Sequence, residues 1–325
     1  MSILSKAYFH DEAAAFAYLE ELIWAGTPVC PKCGNTPENG KAIYELKGVR
    51  SKPSKKNPEG VERHGLKKCG ACRKQFTVRV GTVFESSHVP LHKWLQAAYL
   101  MMSSKKGISS KQLERTLEVT YKTAWFMSHR LREAMRQGEL DVPFGSGGGA
   151  VEVDETFIGR EPGMPKKRAY HHKMKVLSLL DRDTGRAKSI VVDNVRASTL
   201  VPILRANIAR EARVMTDEAS QYLHLGNDFA SHDYVRHGKG EYVSYANPEI
   251  HTNTVEGYYS VFKRGMQGVY QHCGKKHLHR YMAEFDFRYN NRERLGVNDM
   301  ERTAAALRGI VGKRLTYQGP SFQKA

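Results

Sequence analysis

Two Cys-x-x-Cys pairs restrict what the first part of this chain can fold into more than any other feature of the sequence. The four residues are Cys30, Cys33, Cys69 and Cys72. A two-residue spacer lets both sulfurs of one turn face the same ion, so two such pairs can place four thiolates around zinc. We predict a structural zinc ribbon, because the protein supplies all four ligands. The separation of the pairs is unusually long, and residues 47–65 are predicted to form a basic loop inserted between the ribbon strands.

The charge of the chain favours a polyanionic partner. Its 325 residues include 51 Lys and Arg against 34 Asp and Glu, a formal net charge of +17. The excess is concentrated in residues 41–79 and 257–325, which indicates nucleic acid first and an anionic membrane surface second. No stretch reaches the roughly 18 apolar residues of a membrane-spanning helix, and the N-terminus lacks a signal-peptide pattern. We therefore expect a cytoplasmic protein with no membrane partner, and cysteines that bind metal in preference to forming disulfides.

Helical spacing of apolar residues predicts a short helix at 11–25 and then three helices in quick succession. The three are at 91–104, 109–117 and 121–136, with Ser109 and Thr120 as caps of the last two. The short joint between those two is typical of a helix-turn-helix. Polar side chains expected on the exposed side of its second helix are Lys122, Thr123, His129, Arg130 and Arg132. Lys122 and Arg130 are the candidates for DNA contacts, and a three-helix linker that touches no DNA is the alternative.

Beyond a glycine-rich stretch at 145–149, strand and helix patterns alternate. The predicted elements are strands at 151–158, 173–181, 187–193 and 212–217, with a helix at 197–211. A hairpin, a helix and a returning strand fit a mixed sheet covered by helices, so we predict an α/β (mixed) fold. A later helix at 280–294 is expected to pack on the sheet through Tyr281, Phe285 and Tyr289.

Carboxylates stand at the ends of two of these strands and in the first turn of a later helix. They are Asp154, Asp217 and Glu256. Oxygen ligands suit Mg²⁺ or Mn²⁺. Three carboxylates can hold two such ions about 3.5 to 4 Å apart, an arrangement that supports in-line phosphodiester displacement. The alternative for Asp154 is an ordinary solvated carboxylate at a strand end.

The helix that contains Glu256 has two further features. Asn253 or Thr254 can cap it. Lys263 follows Glu256 by almost two helical turns, so its side chain should project from the same face and could meet a DNA phosphate. An ordinary solvated lysine is the alternative.

Other carboxylates compete for these roles. Glu155 should point to the opposite side of the strand from Asp154, and Glu218 follows Asp217 in the same way, so we assign both supporting roles. Three aspartates around the predicted hairpin are assigned local turn roles. They are Asp181, Asp183 and Asp193.

Six motifs occur in the order CPKC, CGAC, QFTVRVGTVFE, VEVDETFIG, MTDEASQY and HTNTVEGYYSVFKRG. In this order they resemble the motifs of DDE transposases of bacterial insertion sequences that have an N-terminal zinc ribbon, the IS1595 type. The resemblance implies an RNase H-like catalytic domain. It also implies that Asp154, Asp217 and Glu256 form the catalytic, magnesium-binding triad, and that Lys263, followed by Arg264, is a basic position that contacts DNA. The long basic loop in the ribbon departs from the family pattern.

This resemblance implies a transposase that binds terminal inverted repeats and catalyses DNA strand cleavage and strand transfer by two-metal-ion phosphoryl transfer. Its partners would be double-stranded DNA, as element ends and as target, and a second copy of the chain, because pairing two ends needs a homodimer or a larger oligomer. It would lie in the bacterial cytoplasm at the nucleoid. One alternative is a DNA nuclease or resolvase of the same fold. The other is a zinc-ribbon and helix-turn-helix regulator without catalysis.

The sequence therefore predicts six consecutive segments. They are an N-terminal helix at 1–26, the zinc ribbon at 27–88, the helix-turn-helix domain at 89–140, a glycine-rich linker at 141–150, the RNase H-like catalytic domain at 151–300 and a basic C-terminal tail at 301–325.

Overall fold

The protein folds into two compact units, each assembled from separate stretches of the chain. The computed structural model describes residues 2–55, 57–166 and 170–316. The first unit comprises Met1–Ser103, Ser109–Met135 and Asp299–Ala325, and the second comprises Ser104–Ile108 and Arg136–Asn298. Within the described ranges, no helix is long and apolar enough to cross a membrane.

The first unit begins with helix α1 (Glu12–Trp24), which confirms the predicted short helix. Asp11 caps it, since its Oδ1 accepts a hydrogen bond from the Ala14 N–H at 2.7 Å. The helix ends where Ala25 adopts a left-handed conformation, φ 46°, followed by Gly26 at φ 89°. Phe16 and Leu19 are buried on its inner face.

A small antiparallel sheet follows, with strand order β1-β2-β3. Its strands are β1 (Ile43–Glu45), β2 (Lys67–Cys69) and β3 (Gln75–Phe76). The basic loop predicted at 47–65 lies between β1 and β2, as expected, and an antiparallel bridge between Arg50 and Glu62 closes it.

Three helices follow the sheet and confirm the predicted helical segments. They are α2 (Leu91–Met102), α3 (Ser110–Leu117) and α4 (Tyr121–Met135). The predicted caps form, because the Ser109 hydroxyl accepts from the Gln112 N–H at 3.1 Å and the Thr120 hydroxyl from the Thr123 N–H at 3.2 Å.

The prediction of a basic tail from residue 301 is wrong for its first residues. Asp299–Arg308 form helix α8 of the first unit, which packs on α2 and α4. Ala306 and Leu307 are buried at 1% and 0% exposure, and the Ile310 carbonyl accepts a hydrogen bond from the Val83 N–H. A short amphipathic helix therefore anchors this segment, whereas residues 317–325 of the predicted tail lie outside the described residues.

The second unit contains a five-stranded mixed sheet with strand order β6-β5-β4-β7-β8. The strands are β4 (Ala150–Ile158), β5 (Met174–Asp181), β6 (Ala187–Val192), β7 (Arg213–Asp217) and β8 (Ser231–Val235). β4, β5 and β6 pair antiparallel, whereas β7 runs parallel to β4 and β8 runs parallel to β7. The mixed sheet and four of its strands confirm the sequence prediction, and β8 was not predicted.

Helices cover both faces of this sheet, and alternate residues of β4 point to opposite sides. Val151 and Val153 pack with Leu200 and Leu204 of α5 (Ala197–Asn207). On the other face, Ile158 belongs to a cluster with residues of α6 (Asn253–Gly265) and α7 (Lys275–Asn290). Two of the three aromatic residues predicted on the inner side of α7 are buried there, and the third packs against the same cluster. They are Tyr281, Phe285 and Tyr289.

The glycine-rich stretch is folded into the second unit and is not a flexible joint. Phe144 is buried in the core at 3% exposure. The Gly145 N–H donates to Asp181 Oδ2 at 2.9 Å, and Gly145 adopts φ 72°, which favours glycine. The chain passes between the units at Met135 and Arg136 instead.

Candidate active site and metal centre

Asp154 and Asp217 lie on adjacent parallel strands at the same level of the sheet. Glu152 of β4 is paired with Met215 of β7. Two residues further along each strand come Asp154 and Asp217, so this register sets the two aspartates side by side. The Asp154 Oδ1 accepts a hydrogen bond from the Glu155 N–H at 2.7 Å, and the Asp217 Oδ1 accepts from the Ala219 N–H at 3.0 Å.

Helix α6 brings Glu256 to the same edge of the sheet. The Tyr259 hydroxyl of this helix donates to the Asp154 carbonyl oxygen at 2.6 Å, which holds the helix against β4. Glu256 is in the first turn of α6, and its Oε1 lies 3.5 Å from the His237 Nε2. Asp217 ends β7 as predicted, whereas Asp154 lies in the middle of β4, just beyond the residues that pair with β7, so its predicted position at a strand end is wrong. The charges of Asp217 and Glu256 both act on Asp154, which brings the three predicted carboxylates into one region of the second unit.

The neighbouring carboxylates affect the electrostatics of Asp154. Its pKa is raised to about 8, mainly by burial and also by the nearby charges of Glu155, Asp217 and Glu256. A carboxylate with so high a pKa gains more than most from a cation beside it. The donor set therefore fits divalent ions that accept oxygen ligands, such as Mg²⁺ or Mn²⁺.

The spacing of the carboxylates differs from that of a single-ion site. Within the described part of the chain, the four cysteines are the one group of three or more His, Cys, Asp and Glu side chains spaced closely enough to hold one ion. Asp154, Asp217 and Glu256 are not such a group. Two ions about 3.5 to 4 Å apart need ligands that flank and bridge them, which is a wider arrangement.

Glu155 points to the opposite face of β4 from Asp154, as the alternation predicted. Its Oε1 accepts hydrogen bonds from the Tyr222 hydroxyl at 2.6 Å and from the Gln221 Nε2 at 3.2 Å. Burial raises its pKa to about 7. Glu218 also has a local partner, because its Oε1 accepts from the Gly238 N–H at 2.8 Å. Asp181 accepts from the Thr184 N–H at 2.8 Å, which confirms its predicted turn role.

Glu152, which the sequence patterns did not single out, connects β4 to α6. Its side chain is fully buried at 0% exposure, and its Oε2 accepts from the N–H groups of Thr254 and Val255, both at 2.9 Å. Its Oε1 is bonded by the Arg182 Nε at 2.6 Å. The expectation that Asn253 or Thr254 caps α6 is therefore wrong, because a carboxylate from the sheet performs this function. The only sequence signal was a glutamate in a strand of otherwise buried residues.

The basic residues predicted at this site lie on the exposed part of α6. Lys263 and Arg264 are both exposed in its last turn. The Lys263 Nζ lies 5.9 Å from the centroid of the Tyr259 ring, on the side of the helix that meets Asp154. The Arg264 Nε donates to the Ser260 carbonyl of its own helix at 3.0 Å.

The basic residues predicted on the exposed side of α4, in the first unit, divide into two groups. Lys122 is exposed at the beginning of the helix, followed by the half-buried Thr123. His129, Arg130 and Arg132 are buried at 1%, 7% and 1% exposure, so the expectation that they face solvent is wrong.

Arg130 has a structural reason to be buried. Its guanidinium donates to the carbonyl oxygens of Val83, Glu85 and Leu315 at 2.8, 3.1 and 3.1 Å. It also lies over the Phe126 ring, 4.7 Å from the centroid. Arg130 thus joins three segments of the first unit, and its donors are directed into the fold.

The four predicted zinc ligands converge in the first unit. Two Sγ–Sγ distances, Cys30 to Cys72 and Cys33 to Cys69, are both 3.7 Å. Four sulfurs at about 2.3 Å from a tetrahedral zinc ion would lie about 3.8 Å apart. Backbone N–H groups of Cys72 and Ala71 lower the pKa of Cys69 to about 7, which favours the thiolate that zinc binds. The cluster fits a structural zinc ion with no position left for substrate.

The regions that contain the cysteine cluster and the three carboxylates match models of known protein families. Residues 10–75 match a transposase zinc-ribbon domain. Residues 147–290, which include all three clustered carboxylates, match the ISXO2-like transposase domain. Both domains are of the transposase class. The chain belongs to the IS1595-type family of DDE transposases.

Individual relatives agree with the family. The chain is 28% identical over 303 residues to a protein of the transposable element ISH50 of Halobacterium salinarum. This alignment covers 86% of this chain and 91% of that protein. It is also 29% identical over 105 residues to a transposase-like protein of Haemophilus influenzae, an alignment that covers 32% of this chain and 81% of that protein.

A structural alignment was found with a chain in the intasome of simian T-cell lymphotropic virus, in complex with the PP2A regulatory subunit B56 gamma. It covers 54% of this chain and 63% of that chain. That alignment has 13% identity and a TM-score of 0.28.

Proposed function

We propose that this chain is an insertion-sequence transposase that binds terminal inverted repeats and catalyses DNA strand cleavage and strand transfer. The observation on which the catalytic assignment depends is the register of β4 and β7, which sets Asp154 beside Asp217, together with the Tyr259 hydrogen bond that holds the Glu256 helix against Asp154. The raised pKa of Asp154, about 8, agrees with this geometry. Holding several half-buried carboxylates together is costly unless cations neutralise them in use. Membership of a transposase family supports DNA as the substrate.

The sheet topology supports an RNase H-like assignment for the second unit. Three antiparallel strands, β6, β5 and β4, are continued by the two parallel strands β7 and β8. Of the proposed catalytic residues, Asp154 lies in β4 just beyond the residues that pair with β7, Asp217 ends β7, and Glu256 is on the helix that packs beside them. In open sheets of this kind, ligands bind beyond the ends of parallel strands.

Asp154, Asp217 and Glu256 would hold two Mg²⁺ or Mn²⁺ ions, which supply activation of a water or 3′-hydroxyl nucleophile and stabilisation of the leaving oxygen. The residues of the chain prepare this site by position. Tyr259 fixes the backbone of Asp154, and Glu152 fixes the beginning of the Glu256 helix. Lys263, exposed on α6 above Tyr259, would contact a phosphate of the bound strand, with Arg264 beside it.

The first unit supplies the proposed DNA recognition. The α3–α4 pair with its short joint supports a helix-turn-helix, in which residues at the beginning of the second helix contact base edges. Lys122 lies in that position and is exposed, and Tyr121 before it is 51% exposed. We further propose a homodimer or larger oligomer on DNA, since two ends must be joined, and a cytoplasmic location at the nucleoid.

Cleavage and joining of a labelled duplex that ends in the terminal repeat of the element tests this function. With magnesium, wild type should nick the end and join it to a second duplex, whereas Glu256→Gln should bind the duplex and do neither. The matched control is Glu249→Gln, because Glu249 is an exposed carboxylate of the same unit, paired with Arg213 at 3.3 Å. It should retain both activities.

Two results would favour the alternatives. Nicking without joining would indicate a nuclease or resolvase of the same fold. Binding without nicking, in magnesium and in manganese, would indicate a regulator. A single protomer in the complex of two ends, measured by light scattering, would contradict the proposed oligomer.

A further inference from the structure

A cavity of about 330 Å³ opens beside Asp217 in the second unit. Its walls come from the end of β7, from β8 and from the turn that follows β8. The lining residues are Asp217, Glu218, Ala219, Tyr222, Leu223, His232, Tyr234, Arg236 and Lys239. Only Asp217 of these belongs to the proposed catalytic triad, so the other side chains have no role in the mechanism described above.

The mouth of the cavity combines apolar surface with positive charge. Leu223 is 68% exposed and Tyr234 is 44% exposed, although both are large hydrophobic side chains. The Arg236 guanidinium lies over the Tyr234 ring, 5.6 Å from the centroid, and donates to its hydroxyl at 3.3 Å. Exposed aromatic surface beside cations is the chemistry that binds single-stranded nucleic acid, because bases stack on the ring and phosphates meet the cations.

The inner wall offers a polar side chain, His232. Burial lowers the pKa of His232, and its Nε2 lies 2.9 Å from the Thr216 hydroxyl. Because Nε2 is engaged with Thr216, one ring nitrogen, Nδ1, is left to form a hydrogen bond with a base edge. The Tyr222 hydroxyl is already bonded to Glu155, so Tyr222 contributes its ring to the wall.

The volume restricts what can enter. Ligand pockets span about 300 to 1,000 Å³, and this cavity is at the lower limit. One base fits a cavity of this size, whereas a base pair within a duplex does not. Because Asp217 is part of the wall, a base in the cavity would be attached to a nucleotide beside the phosphate at the carboxylates.

We propose that this cavity binds one nucleobase turned out of the DNA duplex next to the phosphate that is cut. The inference depends on the proposed function for the identity of the phosphate, but it makes a separate claim about these residues. Tyr234 and Leu223 provide the stacking surface, and Arg236 and Lys239 meet the flanking phosphates. Turning the base out removes its stacking in the duplex, and stacking in the cavity offsets that loss.

Binding tests the cavity without any chemistry. Two short duplexes that share one strand are compared by fluorescence anisotropy in magnesium-free buffer. In one duplex a single adenine of the shared strand is unpaired, and the other duplex is fully paired. Wild type should bind the unpaired form at least about tenfold more tightly. Tyr234→Ala and Leu223→Ala should bring this ratio close to one and leave the affinity for the paired duplex unchanged, whereas Tyr234→Phe, which retains the ring, should preserve the preference.

Tyr245→Ala is the matched control, because Tyr245 is 86% exposed in the same unit and does not line the cavity. It should behave as wild type. A wild-type ratio near one, or an equal effect of the Tyr234→Ala and Tyr245→Ala changes, would overturn the proposal.

Cleavage separates this claim from the proposed function. Tyr234→Ala should slow cleavage of a fully paired end. The cleavage rate of this variant should recover when a mismatch leaves the nucleotide beside the cut unpaired. Equal slowing on both ends would contradict a base-binding role. If wild type cuts neither end, the proposed function fails, and the binding ratio still decides whether the cavity holds a base.

Discussion

Glu152 and Glu256 are connected through the first turn of α6. The buried Glu152 carboxylate accepts hydrogen bonds from the Thr254 and Val255 N–H groups at 2.9 Å, and Glu256 follows in the same turn. A negative charge at this end also complements the helix dipole. The strand that contains Asp154 therefore positions the helix that supplies the third carboxylate.

Replacing Glu152 by Ala should destabilise the protein by about 2 to 4 kcal/mol. The change removes the cap of α6 and leaves Arg182 without its buried partner, and both losses cost free energy. Urea unfolding measures the effect. Asp11→Ala, which removes only the local cap of α1, should cost about 1 kcal/mol. Equal losses in the two variants would contradict the special role of Glu152.

The stability of the magnesium-free protein should fall as pH rises because of Asp154. Its folded pKa of about 8 is above the ordinary value of 3.8, so the folded state binds this proton more tightly than the unfolded state. That stabilisation is complete below about pH 4 and is lost as pH rises through about 8. Asp154→Asn removes the carboxylate and should therefore raise the Tm by several degrees at about pH 8.5 relative to wild type, with a smaller difference at about pH 5.

Thermal unfolding at the two pH values, in buffer without divalent ions, measures this difference. Asp183→Asn is the control, because Asp183 is an exposed residue of the hairpin turn. It should shift the Tm equally at both pH values. Magnesium should raise the Tm of wild type at the higher pH and should have less effect on Asp154→Asn. The absence of a pH-dependent difference between wild type and Asp154→Asn would refute the grouping of carboxylates.

Zinc removal should unfold the small sheet of the first unit. Purified wild type is expected to contain one zinc ion per chain, and Cys69→Ser should lose it because three sulfurs do not complete the tetrahedron. Metal analysis by plasma emission spectrometry tests this. Cys273→Ser should retain zinc, since Cys273 is not part of the cysteine cluster. Full zinc content in Cys69→Ser would contradict the assigned ligands.

Lys122 and Arg130 should respond differently to the same substitution. Lys122→Ala should weaken binding to the terminal repeat by about 1 to 3 kcal/mol and affect binding to unrelated DNA less, as expected for a residue that contacts base edges. Arg130→Ala should lower stability by about 2 kcal/mol or more, because three backbone carbonyls lose a charged donor. Parallel measurements of DNA affinity and urea unfolding separate the two effects. Unchanged stability in Arg130→Ala would show that its buried contacts are dispensable.

What could be predicted from the sequence was mostly local. Asp11, Ser109 and Thr120 cap helices only a few residues away, so their patterns are visible in short windows. The four cysteines and the aspartates of β4 and β7 also stand in recognisable motifs. For the same reason the helices α1 to α4 and the strands β4 to β7 were placed correctly.

The missed features depend on contacts between distant parts of the chain. Glu152 caps a helix about 100 residues away, and Arg130 is buried by the carbonyls of Val83 and Leu315. Neither partner can be inferred from helical periodicity. Strand β8 was missed because Ser231, His232 and Asp233 are polar, and its pairing with β7 determines it more than its own sequence does.

Helix α8 has a consequence for the order in which the protein is made. It completes the first unit by packing on α2, although nearly 200 residues separate the two helices. During synthesis, the whole second unit leaves the ribosome before α8 does. The proposed catalytic unit can therefore fold first, whereas the unit with the proposed DNA-binding helices is completed only when α8 emerges. The proposed DNA-binding helices therefore reach their final packing only after the proposed catalytic unit has left the ribosome.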